Sequence, residues 1–400
     1  MHRISVGVFE ELSACGGGPA AVAALVAARR SRTVLLLEHA VRASGDPEAR
    51  RLWASLHGSS VLDDPGVGAW AVRVASGALG LDDLGLVAIA GAARRGRELG
   101  VRLAVPGRVE IPTLGVFEAV GASEVRVRRT PEGVTLSVDG KRALIGRRSE
   151  LWRPMPVISV AHAGVTASFR FDHWRWAPLP RRVTIGDADV APWRETLAAG
   201  WRVLVEHHPG RAAELAAAVR VLTPLPDPPS GTASLTLADA FGCVFLSLPP
   251  NPAETAVTLT HELQHGKLSV LLDLFALTAD DRSARYYAPW RTDPRPLPGL
   301  LHGTYAHLAV AEFWSHQRLV EPDPTHADTE FARWHRATAD AAETLLGTGS
   351  LTDLGTTLVR TIRARLAELA NTPIPSAARE AAATAARNHR DRFRAEHGQL

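Results

Sequence analysis

Leu, Val and Ala recur every three or four residues through the first hundred positions, the period of helices with one apolar face. Residues 20–30 are Ala-rich. Ser31-Arg32-Thr33 is expected to interrupt that helix before Val34-Leu35-Leu36-Leu37-Glu38 resumes it. Asp46-Pro47 and Asp64-Pro65-Gly66 read as acidic caps with proline in the first turn, and Asp82-Asp83 opens an Ala-rich segment ending near Gly100. Residues 1–100 are thus expected to form a helical N-terminal region. It carries no cluster of metal-type ligands and suits packing or docking.

After Gly100 the period falls to two. Val101-Arg102-Leu103-Ala104-Val105 alternates and Pro106-Gly107 turns the chain. Val125-Arg126-Val127-Arg128 and Val134-Thr135-Leu136-Ser137-Val138 flank Thr130-Pro131-Glu132-Gly133, a hairpin, and Asp139-Gly140 marks the next turn. Residues 156–159, 165–171 and 183–185 read as further strands. Residues 101–186 are expected as an antiparallel β region of five to seven strands, a candidate for peptide recognition.

Residues 187–400 return to helical spacing. Asp187-Ala188-Asp189 before Pro192-Trp193 predicts a helix running to His207-His208, where Pro209-Gly210 breaks it. A second helix is expected over residues 211–221. Adjacent helical side chains point about 100° apart, so His207-His208 reads as a solvated helix end rather than a metal pair. Phe241-Gly242-Cys243-Val244-Phe245-Leu246 reads as a buried strand. Asn251-Pro252 then caps a helix over 253–277. Asp280-Asp281 leads into a proline-rich loop over 286–299, and a new helix is expected over 300–314. Residues 318–400 add helices that cover the metal-binding one. The predicted fold class is α+β, mostly helical: a helical N-terminal part, an antiparallel β middle and a helical C-terminal half.

Composition supports a folded chain: of 400 residues, 46% are hydrophobic and 22% charged. A net charge of +3 with scattered basic residues gives no nucleic-acid footprint. Cys15 and Cys243 are the only cysteines, too few for a disulfide framework or a thiolate metal site. No apolar run approaches the roughly 20 residues of a membrane span, and Met1-His2-Arg3-Ile4-Ser5 lacks a signal-peptide pattern. The expectation is a cytoplasmic protein without membrane attachment.

The candidate chemistry lies in Thr260-His261-Glu262-Leu263-Gln264-His265. Histidines four apart on a helix lie on one face, close enough to share a metal ion. A third protein ligand is expected, with positions left open for water or substrate. His302 is the first choice, at the start of the next helix; His307 and Glu312 are the others. Glu312 would suit a zinc peptidase.

The run from Phe241-Gly242 through His261-Glu262-Leu263-Gln264-His265-Gly266-Lys267-Leu268 and Leu271-Leu272-Asp273-Leu274 continues to Tyr286-Tyr287-Ala288-Pro289-Trp290-Arg291 and Leu301-His302-Gly303. It resembles the HExxH motif-containing peptide-modification proteins encoded with ribosomally made precursor peptides, often beside radical SAM maturases. The strong part spans residues 234–314. The resemblance implies iron(II)- and 2-oxoglutarate-dependent β-hydroxylation of a precursor peptide, with His261 and His265 as iron ligands. The cosubstrate's distal carboxylate needs a cation: Arg291 first, then Arg295, with Lys267 a further candidate. Glu262 would orient a ligand or water. Two rivals remain: a zinc metallopeptidase in which Glu262 activates a Zn(II)-bound water and Glu312 or His302 completes the site, and a non-catalytic peptide-docking protein.

Overall fold

The computed structural model describes residues 4–105, 108–118, 122–172, 176, 190–229, 231–279, 284–371 and 373–398. Its N-terminal helices are α1 (Val6–Ser13), α2 (Gly18–Ser44), α3 (Pro47–Leu56), α4 (Pro65–Ala75) and α5 (Leu84–Arg94). The acidic caps act as expected: the Asp46 side chain accepts the Glu48 N–H and Asp64 accepts the Gly66 N–H, each with proline in the first turn. The expected break at Ser31-Arg32-Thr33 does not occur, and α2 runs through it. The Ser31 and Thr33 hydroxyls donate to the carbonyls of Ala27 and Arg29 one turn back, so both are satisfied inside the helix.

Nine strands follow in the described part of the middle region, more than the five to seven expected: β1 (Leu99–Val105), β2 (Val109–Ile111), β3 (Gly115–Phe117), β4 (Ala122–Thr130), β5 (Gly133–Val138), β6 (Lys141–Leu144), β7 (Trp152–Pro154), β8 (Val157–His162) and β9 (Val165–Phe171). The additional ones have three or four residues, too few for an alternation to be legible. The hairpin at Thr130-Pro131-Glu132-Gly133 forms as expected, with Thr130 opposite Gly133. The strand expected at 183–185, the helix start at Asp187-Ala188-Asp189, and the turns at Pro106-Gly107 and Asp280-Asp281 lie outside the described residues.

The chain continues with α6 (Val190–His207), α7 (Pro209–Ala218), β10 (Val221–Pro224), β11 (Ser234–Leu235) and β12 (Cys243–Leu246). The second expected helix ends early because β10 enters a sheet ordered β11-β12-β10-β9-β8. In it β10 pairs parallel with both β9 and β12, whereas the described pairings among β1 to β9 are antiparallel, as expected. Every residue of β10 and β12 is buried, so neither shows the alternation that reveals a half-exposed strand. The other sheets, β1-β4-β5-β6 and β2-β3-β7, are antiparallel.

The last helices are α8 (Pro252–Leu274), α9 (Leu297–Gln317), α10 (Thr325–Gly347), α11 (Asp353–Leu369) and α12 (Ser376–His397). The chain is a mostly helical α+β protein. Among the described residues, no single helix is long and apolar enough to cross a membrane. Two main apolar cores form, and α2 enters both. Its Ala21, Val22 and Leu25 pack in the core that holds α8 and α9, while Leu37 and Val41 pack with α3, α5 and the β1 to β7 strands.

Candidate metal centre

Helix α8 begins where the Asn251 side chain accepts the Glu254 N–H, with Pro252 in the first turn. Two turns later His261 and His265 project together, their Nε2 atoms 3.0 Å apart. Two nitrogens each about 2.1 Å from one ion and at right angles to each other would lie about 3.0 Å apart. The pair therefore fits joint ligation without backbone movement. Burial pushes the His261 imidazole down to about 4 and that of His265 to about 3, with His261 adding to the shift at His265. Both are neutral at pH 7, the form a metal ligand needs.

Helix α9 supplies two more imidazoles. The His302 ring lies 5.8 Å from that of His265, and the His307 ring 4.8 Å from that of His261. All four histidines line one cavity of about 490 Å³. His307 is held tightly. Trp290 and Trp334 stack on its two faces, each with ring centres 4.4 Å away. Its Nδ1 lies 2.8 Å from the Gly303 carbonyl. Donation from Nδ1 to that carbonyl leaves Nε2 with a free lone pair, the arrangement that fixes metal-ligating imidazoles. Gly303 has to be glycine here, because a Cβ would sit 2.3–2.4 Å from the Trp290 indole. Among the described residues, no three His, Cys, Asp or Glu side chains already converge as a ligand set. The centre is a histidine pair flanked by His302 and His307.

Glu312, the peptidase-type alternative, is not at this cavity. Its carboxylate binds Arg211 at 2.7 Å and Arg365 at 2.9 Å, and it lines a separate cavity of about 650 Å³. Glu262 does reach the histidine cavity, at 2% exposure. Its two oxygens accept hydrogen bonds from the Ser234 and Thr236 hydroxyls, both at 2.7 Å. Those hydroxyls lie 26 and 28 residues upstream of Glu262, so sequence spacing gave no sign of the clamp. The same is true of Trp334, which arrives from α10.

Arg291 and Arg295 both line the cavity and share Asp293, at 2.8 and 3.0 Å. Arg295 is the less exposed, packs against Gly299, and its charge helps hold the His302 imidazole down, mainly a burial effect, at about 4. Lys267 does not line this cavity and is not solvent-facing. Fully buried on the far side of α8, its Nζ donates to the Cys15 and Gly16 carbonyls at 2.9 and 2.7 Å and pairs with Glu214 at 3.2 Å. His208 is not a solvated helix end either: it is buried, stacks on Phe313 and bonds Gln317 at 3.1 Å. Among the described residues, those that line this cavity all lie between Ser234 and Trp334. No family model and no curated protein matches the chain.

Proposed function

We propose that this protein is an iron(II)- and 2-oxoglutarate-dependent hydroxylase acting on the β-carbon of a residue in a ribosomally synthesised precursor peptide. The observation that carries the reading is convergence: a neutral histidine pair and two arginines share one cavity. A 2-oxoacid whose far end is a second carboxylate needs both features. The resemblance of residues 234–314 to the HExxH peptide-modification proteins supports the same reading.

His261 and His265 would hold the ion, with His307 or His302 as the third imidazole. Imidazole suits iron(II) and zinc alike, and three protein ligands leave positions open. Iron, when bound, supplies the coupling of O₂ to oxidative decarboxylation, so that substrate C–H, 2-oxoglutarate and O₂ become C–OH, succinate and CO₂. The rest falls to the chain's own residues. Arg295 and Arg291 bind the distal carboxylate, for which it replaces Asp293 as partner. Trp290 and Trp334 keep His307 in one orientation and exclude water from its faces. Glu262, clamped by two hydroxyls, positions α8 against β11 and needs to move no proton.

The zinc metallopeptidase reading draws on one observation, that Glu262 lines the cavity beside the histidine pair. Anaerobic reconstitution with iron(II), then 2-oxoglutarate, O₂ and the precursor peptide encoded nearby, separates the readings. One added oxygen per peptide with equimolar succinate supports hydroxylation. Cleavage without 2-oxoglutarate supports the peptidase. A protein that binds neither iron nor zinc sinks both and leaves a docking role, in which a radical SAM maturase is a candidate partner.

A further inference from the structure

The sheet that carries β12 and β10 has β11 at one end, and β11 forms part of the wall of the histidine cavity. Its pairing with β12 fixes which backbone groups face outward. Ala233 accepts the Ser247 N–H at 2.8 Å and donates to the Ser247 hydroxyl at 2.9 Å, and Leu235 lies opposite Phe245. In an antiparallel pair the backbone groups alternate in direction along the strand. Those of Ala233 and Leu235 point at β12, so the N–H and C=O of Ser234, and the N–H of Thr236 just after the strand, point away from it. Among the described residues nothing pairs with that outer side. Ser234 is exposed, and Leu235 and Thr236 are half-buried.

Proteins ordinarily protect such an edge with a very short strand, as the two-residue β11 is, or with lysine, proline, an inward charge or a bulge. Residues 234–238, Ser-Leu-Thr-Leu-Ala, carry none of these side chains. The edge is also held rigidly. The Ser234 and Thr236 hydroxyls grip the Glu262 carboxylate, and the Thr236 hydroxyl also lies 3.1 Å from the Glu262 carbonyl. An open edge is thus bolted to the helix turn that carries His261 and His265.

We infer that the outer edge of β11 is the docking site of an extended peptide, which adds as a strand and carries its backbone past the histidine pair. This rests on the reading that the centre acts on a peptide, and it names how that peptide is held. Strand addition takes its affinity from main-chain hydrogen bonds, so it tolerates varied sequences. At about 3.3 Å per residue, the Ser234–Thr236 edge pairs with three or four substrate residues. The occupant is an extended peptide segment, because only an unpaired backbone has donors and acceptors at that alternating spacing. The β1 to β7 sheets do not border this cavity.

The probe is a pool of tagged eight-residue random peptides, incubated with the full chain and read by mass spectrometry of the retained fraction. Retained peptides are resynthesised with N-methyl groups on one backbone amide at a time. The expected result is that N-methylation on alternate residues weakens binding at least tenfold, while the intervening positions tolerate it. Amide exchange at Ser234 and Thr236 should slow in the presence of the same peptides. No retained peptide, indifference to N-methylation, or protection confined to residues 99–154 would each overturn the inference. The assay needs neither iron nor 2-oxoglutarate, so absence of succinate in the reconstitution sinks the hydroxylase reading and leaves this one to be judged separately.

Discussion

Glu262→Gln separates the two enzymatic readings because the structure fixes what the substitution changes. The carboxylate accepts one hydroxyl hydrogen bond on each oxygen, at 2.7 Å. Hydrogen bonds to a charged group contribute about 1.5–3 kcal/mol each, and neutral ones about 0.5–1.5. A glutamine keeps the Ser234 bond on its carbonyl oxygen. It can donate its amide to the Thr236 oxygen, because the Thr236 hydrogen can turn to the residue 262 carbonyl at 3.1 Å. The net loss is therefore on the order of 2 kcal/mol, about 2–3 °C in Tm for a chain of this length. The positions of His261 and His265 should hold, and iron content should stay within twofold of wild type. The assay is succinate formation from 2-oxoglutarate without peptide, beside hydrolysis of a generic fluorogenic peptide. A positioning role predicts at most a tenfold fall in succinate formation. A general base contributes about 10²–10⁴-fold. Loss of peptide hydrolysis by that factor, with metal content and stability unchanged and no succinate from wild type, would refute the positioning argument.

Four further outcomes follow from particular contacts. Gly303→Ala drives a methyl into the Trp290 indole; overpacking of this kind removes about 1–3 kcal/mol, and both urea stability and metal affinity should fall. Arg295→Gln should raise the KM for 2-oxoglutarate by about 10–100-fold, the loss of one charged hydrogen-bonding partner, and Arg291→Gln, on the more exposed residue, by less; equal effects would contradict the placement. Lys267→Met breaks a fully buried pair with Glu214 and should lower unfolding free energy by about 3 kcal/mol, with metal affinity changed far less than by His265→Ala. His208 is pushed down to about 4 by burial, so the unfolded chain, titrating near 6.5, takes up that proton first. The His208 contribution to stability should be lost as pH falls from about 6.5 to about 4 and stay constant below, and His208→Gln should remove one proton from the slope in that window.

The sequence by itself determined the local elements and the seed of the site. Asp46-Pro47, Asp64-Pro65 and Asn251-Pro252 start helices because cap hydrogen bonding and proline's fixed φ act within a few residues. The Thr130-Pro131-Glu132-Gly133 hairpin is legible for the same reason. The four-residue spacing of His261 and His265 places them together on any helix. The tertiary structure decided everything that depends on partners distant in sequence. The parallel pairs of β10 leave no periodic trace, since a strand buried on both faces does not alternate. The Trp290–His307–Trp334 stack joins residues from a loop and two helices. The removal of Glu312 from the site depends on two arginines, from α7 and α11. The burial of Lys267 turns on which face of α8 meets the Cys15-Gly16 turn. A helix fixes the angle between its side chains, but only packing fixes which of them meet solvent, a cavity or an opposite charge.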